Sequence, residues 1–137
     1  MRQSKGRVSR FMYHVGVDII EIERIESAVG RWGERFLHRV FTDGELFICR
    51  GRSPALAVRF AAKEAVMKAL GTGVIGVGWR EIEILSNLDG KPLVLLHGRA
   101  QRKACELGLG EIAISLSHSC EYAVASVVGG RIESRYR

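Results

Sequence analysis

The sequence predicts a single domain that mixes helices with strands paired as hairpins, and three observations carry that prediction. The 137 residues fit one domain and suffice to bury a core without disulfides or metal staples. A proline-free run from Ala55 to Leu70 is rich in strong helix formers and then breaks into glycines. Around it lie short β-branched or alternating segments separated by turn residues.

Taken in order, His14–Ile20 reads as a strand with Val15, Val17 and Ile19 on one side and Asp18 on the other. An acid inside such a strand needs a partner, since an unpaired buried carboxylate costs several kcal/mol; a helix cap or a salt bridge would serve. From about Ile22 to Phe36 the apolar residues Ile25, Ala28, Val29, Trp32 and Phe36 recur at helical spacing, predicting one amphipathic helix. Arg24, Arg31 and Arg35 fall along its outer surface, which suits either a plain solvated face or an acidic protein partner. Thr42-Asp-Gly-Glu45 fits a capping box, so a short helix starts at Asp43 and runs to about Arg50.

Arg50-Gly-Arg-Ser53 forms a basic turn, and Ser53-Pro54 opens the central helix, which stops at Gly71. Its face of Val58, Ala62, Ala65, Val66 and Ala69 is small and apolar, shaped for close packing against a sheet or another helix. Glu64 and Lys68 stack on the opposite stripe, acid first, as a structural ion pair or as the wall of a cleft. Gly71, Gly73 and Gly76 match the letters of a dinucleotide-binding loop, but they close a helix and enter a strand, the reverse of what that loop requires. Trp79–Leu85 and Leu93–His97 read as a hairpin around Asn87–Pro92, and Gly98–Leu107 as a polar surface helix. Two more strands, Glu111–Leu116 and Tyr122–Val128, are joined through Ser117–Glu121. Residues 1–13 are expected as a flexible basic extension and residues 131–137 as a frayed tail.

Lysine and arginine outnumber aspartate and glutamate 21 to 15, a net charge of +6 that favours acidic or phosphorylated partners. Aromatic residues do not alternate with basic ones, which argues against a stacking surface for single-stranded nucleic acid. No apolar run is long enough to span a bilayer. Three scattered cysteines, expected as plain buried thiols, suit a reducing, cytoplasmic setting better than a disulfide framework. His97, Cys105, His118 and Cys120 lack zinc-site spacing, and no nucleophile elbow frames Ser115, Ser117 or Ser119.

Four stretches carry a more specific signal. Gly16-Val-Asp-Ile-Ile-Glu-Ile-Glu-Arg-Ile25, Phe41-Thr-Asp-Gly-Glu45, Arg59-Phe-Ala-Ala-Lys-Glu-Ala65 and Ser115-Leu-Ser-His-Ser119, in that order, strongly resemble the holo-acyl-carrier-protein synthases of the phosphopantetheinyl transferase family. The likeness runs from about Val15 to Val128 and implies one transferase domain over residues 14–130. It implies an α+β fold with a long helix on a curved antiparallel sheet, and a homotrimer with CoA between protomers. It makes Asp18 and Glu64 the Mg2+ ligands, consistent with the taste of that ion for one or two carboxylates plus substrate phosphates. It also sets Lys68, Gly71, Thr72 and His118 around the CoA phosphates, with Arg50, Arg52 and Arg59 toward the 3′-phosphate.

The implied reaction, serving fatty acid biosynthesis, moves 4′-phosphopantetheine from CoA to a serine of apo acyl carrier protein. Asp18, Glu64 and Lys68 carry the chemistry, and Arg24 and Arg31, which match the family's positions, face the carrier, with Arg35 added as an extrapolation along the same helix. Neither nucleic acid nor membrane is an expected partner. The competing readings are a basic nucleic-acid-binding domain, drawn from the charge alone, and a Mg2+-dependent phosphohydrolase using the same acids.

Overall fold

The computed structural model describes residues 7–136. Among these, the chain runs β1 (Arg7–Glu21), α1 (Ile22–Trp32), α2 (Glu34–Val40), α3 (Asp43–Cys49) and α4 (Ser53–Leu70). A 3-10 turn at Trp79–Glu81 leads into β2 (Ile82–Ser86), β3 (Pro92–Leu96), α5 (Gly98–Glu106), β4 (Ile112–His118) and β5 (Tyr122–Tyr136). Strands β1, β5 and β4 form an antiparallel sheet in that order, while β2 and β3 form a separate hairpin. Helix α4 packs on the sheet, so the architecture is the α+β one expected.

Alternation along β1 decides which side meets the helix. Gly16 and Ile20 are buried against α4 and Asp18 lies on the same side, while Val15, Val17 and Ile19 stand on the open face, 67, 58 and 63% exposed. The acid of this strand is thus on the helix side and its apolar set on the open side. From β5, Ala123, Ala125 and Val127 complete the buried face. Ala61, Ala62, Ala65, Val66 and Ala69 bury the facing side of α4. Small side chains let helix and sheet approach closely, and each larger core residue such as Leu56 or Val66 contributes about 1.5–3 kcal/mol by leaving water.

Three boundaries differ from the expected ones. The single helix expected over Ile22–Phe36 is two, because Gly33 takes φ 55°, a left-handed conformation that ends α1 and starts α2. The segment expected to be extended from Trp79 begins as a 3-10 turn, capped by the Glu81 carboxylate on the Gly78 amide. Residues 7–13 and 131–136, read as extension and tail, are strand, paired from Arg7 opposite Tyr136 inward, with Phe11 and Tyr13 stacked at 6.5 Å. Residues 1–6 and 137 lie outside the described residues. The cysteines also divide: Cys49 is buried, and burial pushes its thiol up, whereas Cys105 and Cys120 are exposed.

The capping box at Thr42 forms as predicted, with Glu45 accepting from the Thr42 amide and the Thr42 hydroxyl from the Glu45 amide. Glu45 does more than cap. It is fully buried, accepts from the Ile84 amide at 2.8 Å, and pairs at 2.7 Å with an equally buried Lys63. The Lys63 ammonium also donates to the carbonyls of Trp79, at 2.9 Å, and of Ile82. One buried cation thereby joins α3, α4 and the start of β2.

Beside it, Glu83 accepts from Thr42 and meets His97 at 3.0 Å. Burial pushes the Glu83 carboxyl up, but the bonds from Thr42 and His97 outweigh it and hold the group below the ordinary carboxylate range. The unfolded chain therefore takes up this proton before the folded one does. Glu83 contributes stability above the ordinary glutamate pKa and loses it as pH falls through its own lower value. Glu83→Gln should flatten the acid limb of a urea-midpoint-against-pH curve, and an unchanged limb would contradict this linkage.

Candidate active site

Asp18, Glu64 and Lys68 come together where β1 meets α4, beside α1. Asp18 and Glu64 line one cleft of about 360 Å³ together with Ile20, Arg24, Phe36 and Phe60. Strand alternation aims Asp18 at α4, and helical spacing puts Glu64 and Lys68 on the α4 stripe that faces it. The Lys68 ammonium donates to Asp18 Oδ1 at 3.0 Å and to the Val17 carbonyl at 2.9 Å. Its expected partner Glu64 lies instead against Asp18.

Burial, and next the neighbouring Asp18 carboxylate, push the Glu64 carboxyl above the ordinary range, and Lys68 and Arg24 offset only part of this. Two acids therefore share one half-buried place, with the Lys68 cation on the exposed side. Such a place attracts a further positive charge.

Immediately beyond Lys68 the helix ends in a Schellman motif. Gly71 adopts φ 74°, its amide bonds to the Lys68 carbonyl, and the Thr72 amide bonds to that of Met67. The Thr72 hydroxyl is buried and has no hydrogen-bond partner. His118 ends β4 and is exposed, with Nδ1 3.3 Å from the Ser119 carbonyl. Through Ala123 of β5 it shares a sheet row with Ile20, which puts its side chain on the same face as Asp18.

The arginines do not form a single group. Arg24 faces the acids in the cleft, Arg31 lies over the Trp32 ring at 5.1 Å, and Arg35 lines a neighbouring groove. The break at Gly33 splits the line that an unbroken helix would have drawn. That groove, about 480 Å³, is walled by Trp32, Phe36, Phe60 and Trp79, with Arg39 beside Arg35 at its rim. Phe36 and Phe60 line groove and cleft alike, so the two adjoin.

Arg59, expected toward the 3′-phosphate, is 6% exposed, and its guanidinium donates to the carbonyls of Ile84 at 3.0 Å and Ala55 at 3.3 Å and to the Ser86 hydroxyl at 3.5 Å. Arg52 binds the Cys49 and Ile48 carbonyls at the end of α3, where Arg50 is exposed at φ 51°; neither lines the cleft of its own chain. Residue-by-residue reasoning missed Lys63, Arg39 and Trp79. For Lys63 no periodic signal exists, because α4 is buried nearly all round and a lysine on it looks like surface.

Comparison with known proteins gives the family and bears out the fold. Residues 14–125 match the family model of the 4′-phosphopantetheinyl transferase superfamily. The holo-[acyl-carrier-protein] synthase of Herpetosiphon aurantiacus is 52% identical over 125 residues, covering 86% of this chain and 98% of that protein. Its counterpart from Dehalococcoides mccartyi is 54% identical over 117 residues, covering 85% and 98%. Among solved structures, the Helicobacter pylori holo-[acyl-carrier-protein] synthase in complex with coenzyme A superposes with a TM-score of 0.77 at 33% identity, covering 84% of this chain and 98% of that one. With a family match over most of its length and relatives of that family more than half identical to it, the chain belongs to the 4′-phosphopantetheinyl transferase superfamily.

Proposed function

We propose that this protein transfers the 4′-phosphopantetheine group of CoA to a serine hydroxyl of an apo acyl carrier protein, releasing 3′,5′-ADP, in support of fatty acid biosynthesis. The observation that carries the reading is the Asp18–Glu64 carboxyl pair flanked by Lys68, in a chain similar to synthases of that name.

The donor set fits Mg2+. Two oxygen acids that repel one another, one held above its ordinary pKa by burial and by the other, gain from a hard divalent cation that takes its remaining ligands from phosphate and water. When bound, the ion neutralises charge on the CoA pyrophosphate. Asp18 and Glu64 would hold it.

The remaining work falls to the chain's own groups. The serine oxygen attacks the β-phosphorus, the bond to the bridging oxygen of 3′,5′-ADP breaks, and the serine proton passes to Glu64 or to a water that Glu64 holds. Lys68 is 56% exposed at its side chain and tied only to Asp18 and Val17, so its ammonium can reach the leaving phosphate and stabilise the departing charge. It also offsets the α4 C-terminal dipole, which disfavours phosphate. The unpartnered Thr72 hydroxyl and the Gly71 turn supply a polar wall next to it, with His118 as a further phosphate contact.

For the carrier protein, Arg24, Arg31 and Arg35 supply positive charge, and the adjoining aromatic groove supplies an apolar seat. Arg31→Glu should raise the carrier KM by roughly tenfold or more and leave the CoA KM unchanged, since like charge at a docking face costs on the order of 1–3 kcal/mol. An equal rise in both constants would place the carrier elsewhere.

The bare open face of the sheet, Val15, Val17 and Ile19 beside Val128, supports a homotrimer in which Arg50 and Arg52 reach a neighbour's CoA. Val17→Lys should reduce the sedimentation coefficient to that of a monomer, and an unchanged value would remove this face from the interface. Two exposed unpaired cysteines suit a cytoplasmic setting.

The transfer itself is tested by incubating the protein with apo carrier, CoA and Mg2+ and weighing the carrier by mass spectrometry. A phosphopantetheine adduct on the serine is expected. No adduct on any of several carriers would sink the proposal, and 3′,5′-ADP released without carrier would mark a phosphohydrolase instead.

A further inference from the structure

We infer that Gly16 is a positioning residue that sets the gap between Asp18 and Glu64 and, through that gap, the size of cation the pair accepts; this rests on the Mg2+ reading above. The glycine is required for space. Its φ is not among the positive ones. A Cβ built on it would lie 1.9 Å from the Ala65 carbonyl oxygen, 2.8 Å from the Ala65 carbonyl carbon and 3.1 Å from the Ala69 nitrogen. All three are backbone atoms of α4, which cannot swing aside as a side-chain tip would. Any larger residue must therefore push strand and helix apart by roughly an ångström or more before normal contact is restored.

The displacement acts on the acids because of where they sit. Asp18 follows Gly16 by two residues on the same face of β1, and Glu64 precedes Ala65. Helix α4 is held from behind by Lys63, whose ammonium binds the Trp79 and Ile82 carbonyls and Glu45, while β1 is hydrogen-bonded to β5 along its whole length. Neither element can bend locally around one methyl group. The adjustment that remains is a shift of the strand as a body, which carries Asp18 away from Glu64.

Cation size then becomes the readout. Mg2+ demands ligands at about 2.0–2.1 Å in near-ideal octahedral geometry, whereas Ca2+ accepts about 2.3–2.6 Å and irregular cages. A wider gap should penalise the smaller ion. A longer acid should restore it, since Asp18→Glu adds one methylene of reach.

Mg2+ and Ca2+ titrated separately by calorimetry into the CoA-loaded protein test this. Gly16→Ala should weaken Mg2+ by roughly tenfold or more, in the range expected when a residue behind a metal ligand is lost, and Ca2+ by a smaller factor. Gly16→Ala with Asp18→Glu should recover most of the Mg2+ affinity, although Asp18→Glu alone weakens it. Should Gly16→Ala not fold, Ala69→Ser, which enlarges the buried α4 residue whose backbone nitrogen meets Gly16, is read in the same way. Equal loss of both ions, no loss of either, or no recovery in the double variant overturns the positioning role. Failure of the unaltered protein to bind either ion overturns the metal reading itself, and this inference with it.

Discussion

Asp18→Asn and Glu64→Gln are each expected to lower phosphopantetheinyl transfer by about a thousandfold or more while leaving the thermal midpoint of the protein unchanged or raised. Each removes one charged oxygen ligand at nearly constant size. Losing about 4 kcal/mol of charge stabilisation at the pyrophosphate corresponds to that factor. The stability half of the prediction follows from the same geometry with the opposite sign. Burial and the Asp18 carboxylate hold the Glu64 carboxyl above its ordinary range, so the folded state resists ionising it.

A group raised in this way contributes full stability below its unfolded pKa and loses it as pH rises through the folded value. At neutral pH the unaltered pair is therefore a liability that Asp18→Asn relieves. Transfer assays paired with melting curves from pH 5 to 8 check both halves. An active Asp18→Asn protein, or one that melts well below the unaltered chain, would contradict the assignment of Asp18 as a charged ligand in a repelling pair.

Lys63→Met is expected to cost about 3–5 kcal/mol of folding free energy, the amount typical when one partner of a buried ion pair is removed. Against a total of roughly 5–15 kcal/mol for a domain, that is enough to leave much of the chain unfolded at moderate temperature. The reason is what remains behind. Glu45 is 0% exposed and would keep a carboxylate facing the hole, supported by the Thr42 and Ile84 amides. Burial pulls the Lys63 ammonium below its ordinary pKa, and Glu45 opposes that pull. Each charge thus depends on the other. Replacing both, as Glu45→Leu with Lys63→Met, should recover most of the loss, because a well-packed apolar pair needs no desolvated charge. Urea unfolding of the two single variants and the double closes the cycle, and additive losses would show that the pair is not coupled.

These two clusters also separate what was legible in the sequence from what was not. Asp18 and Glu64 sit in short motifs whose order identifies the family, Lys68 lies one helical turn beyond Glu64, and their faces follow from strand and helix periodicity. The capping box at Thr42, the stop at Gly71 and both hairpins were equally legible, since each is written within about six residues of chain. The same local rules gave one helix where there are two, because they weigh the apolar stripe through Phe36 and do not register that Gly33 adopts φ 55°. With that break the arginines part company, Arg24 joining the acids and Arg35 the aromatic groove.

The sequence by itself determined most of the elements, the family motifs and the three groups proposed to carry the chemistry. Tertiary structure alone decided that Arg59 is buried and donates to the Ile84 carbonyl, 25 residues away. It also decided that Lys63 and Glu45 are buried together, and that Asp18 faces α4 while the apolar face of β1 at Val15, Val17 and Ile19 lies open. Local propensity acts over one turn or one strand register. Burial and charge partnership depend on which distant segment packs opposite, and the β2 carbonyls and amides that receive Lys63, Arg59 and Glu45 leave no periodic trace in the residues that meet them.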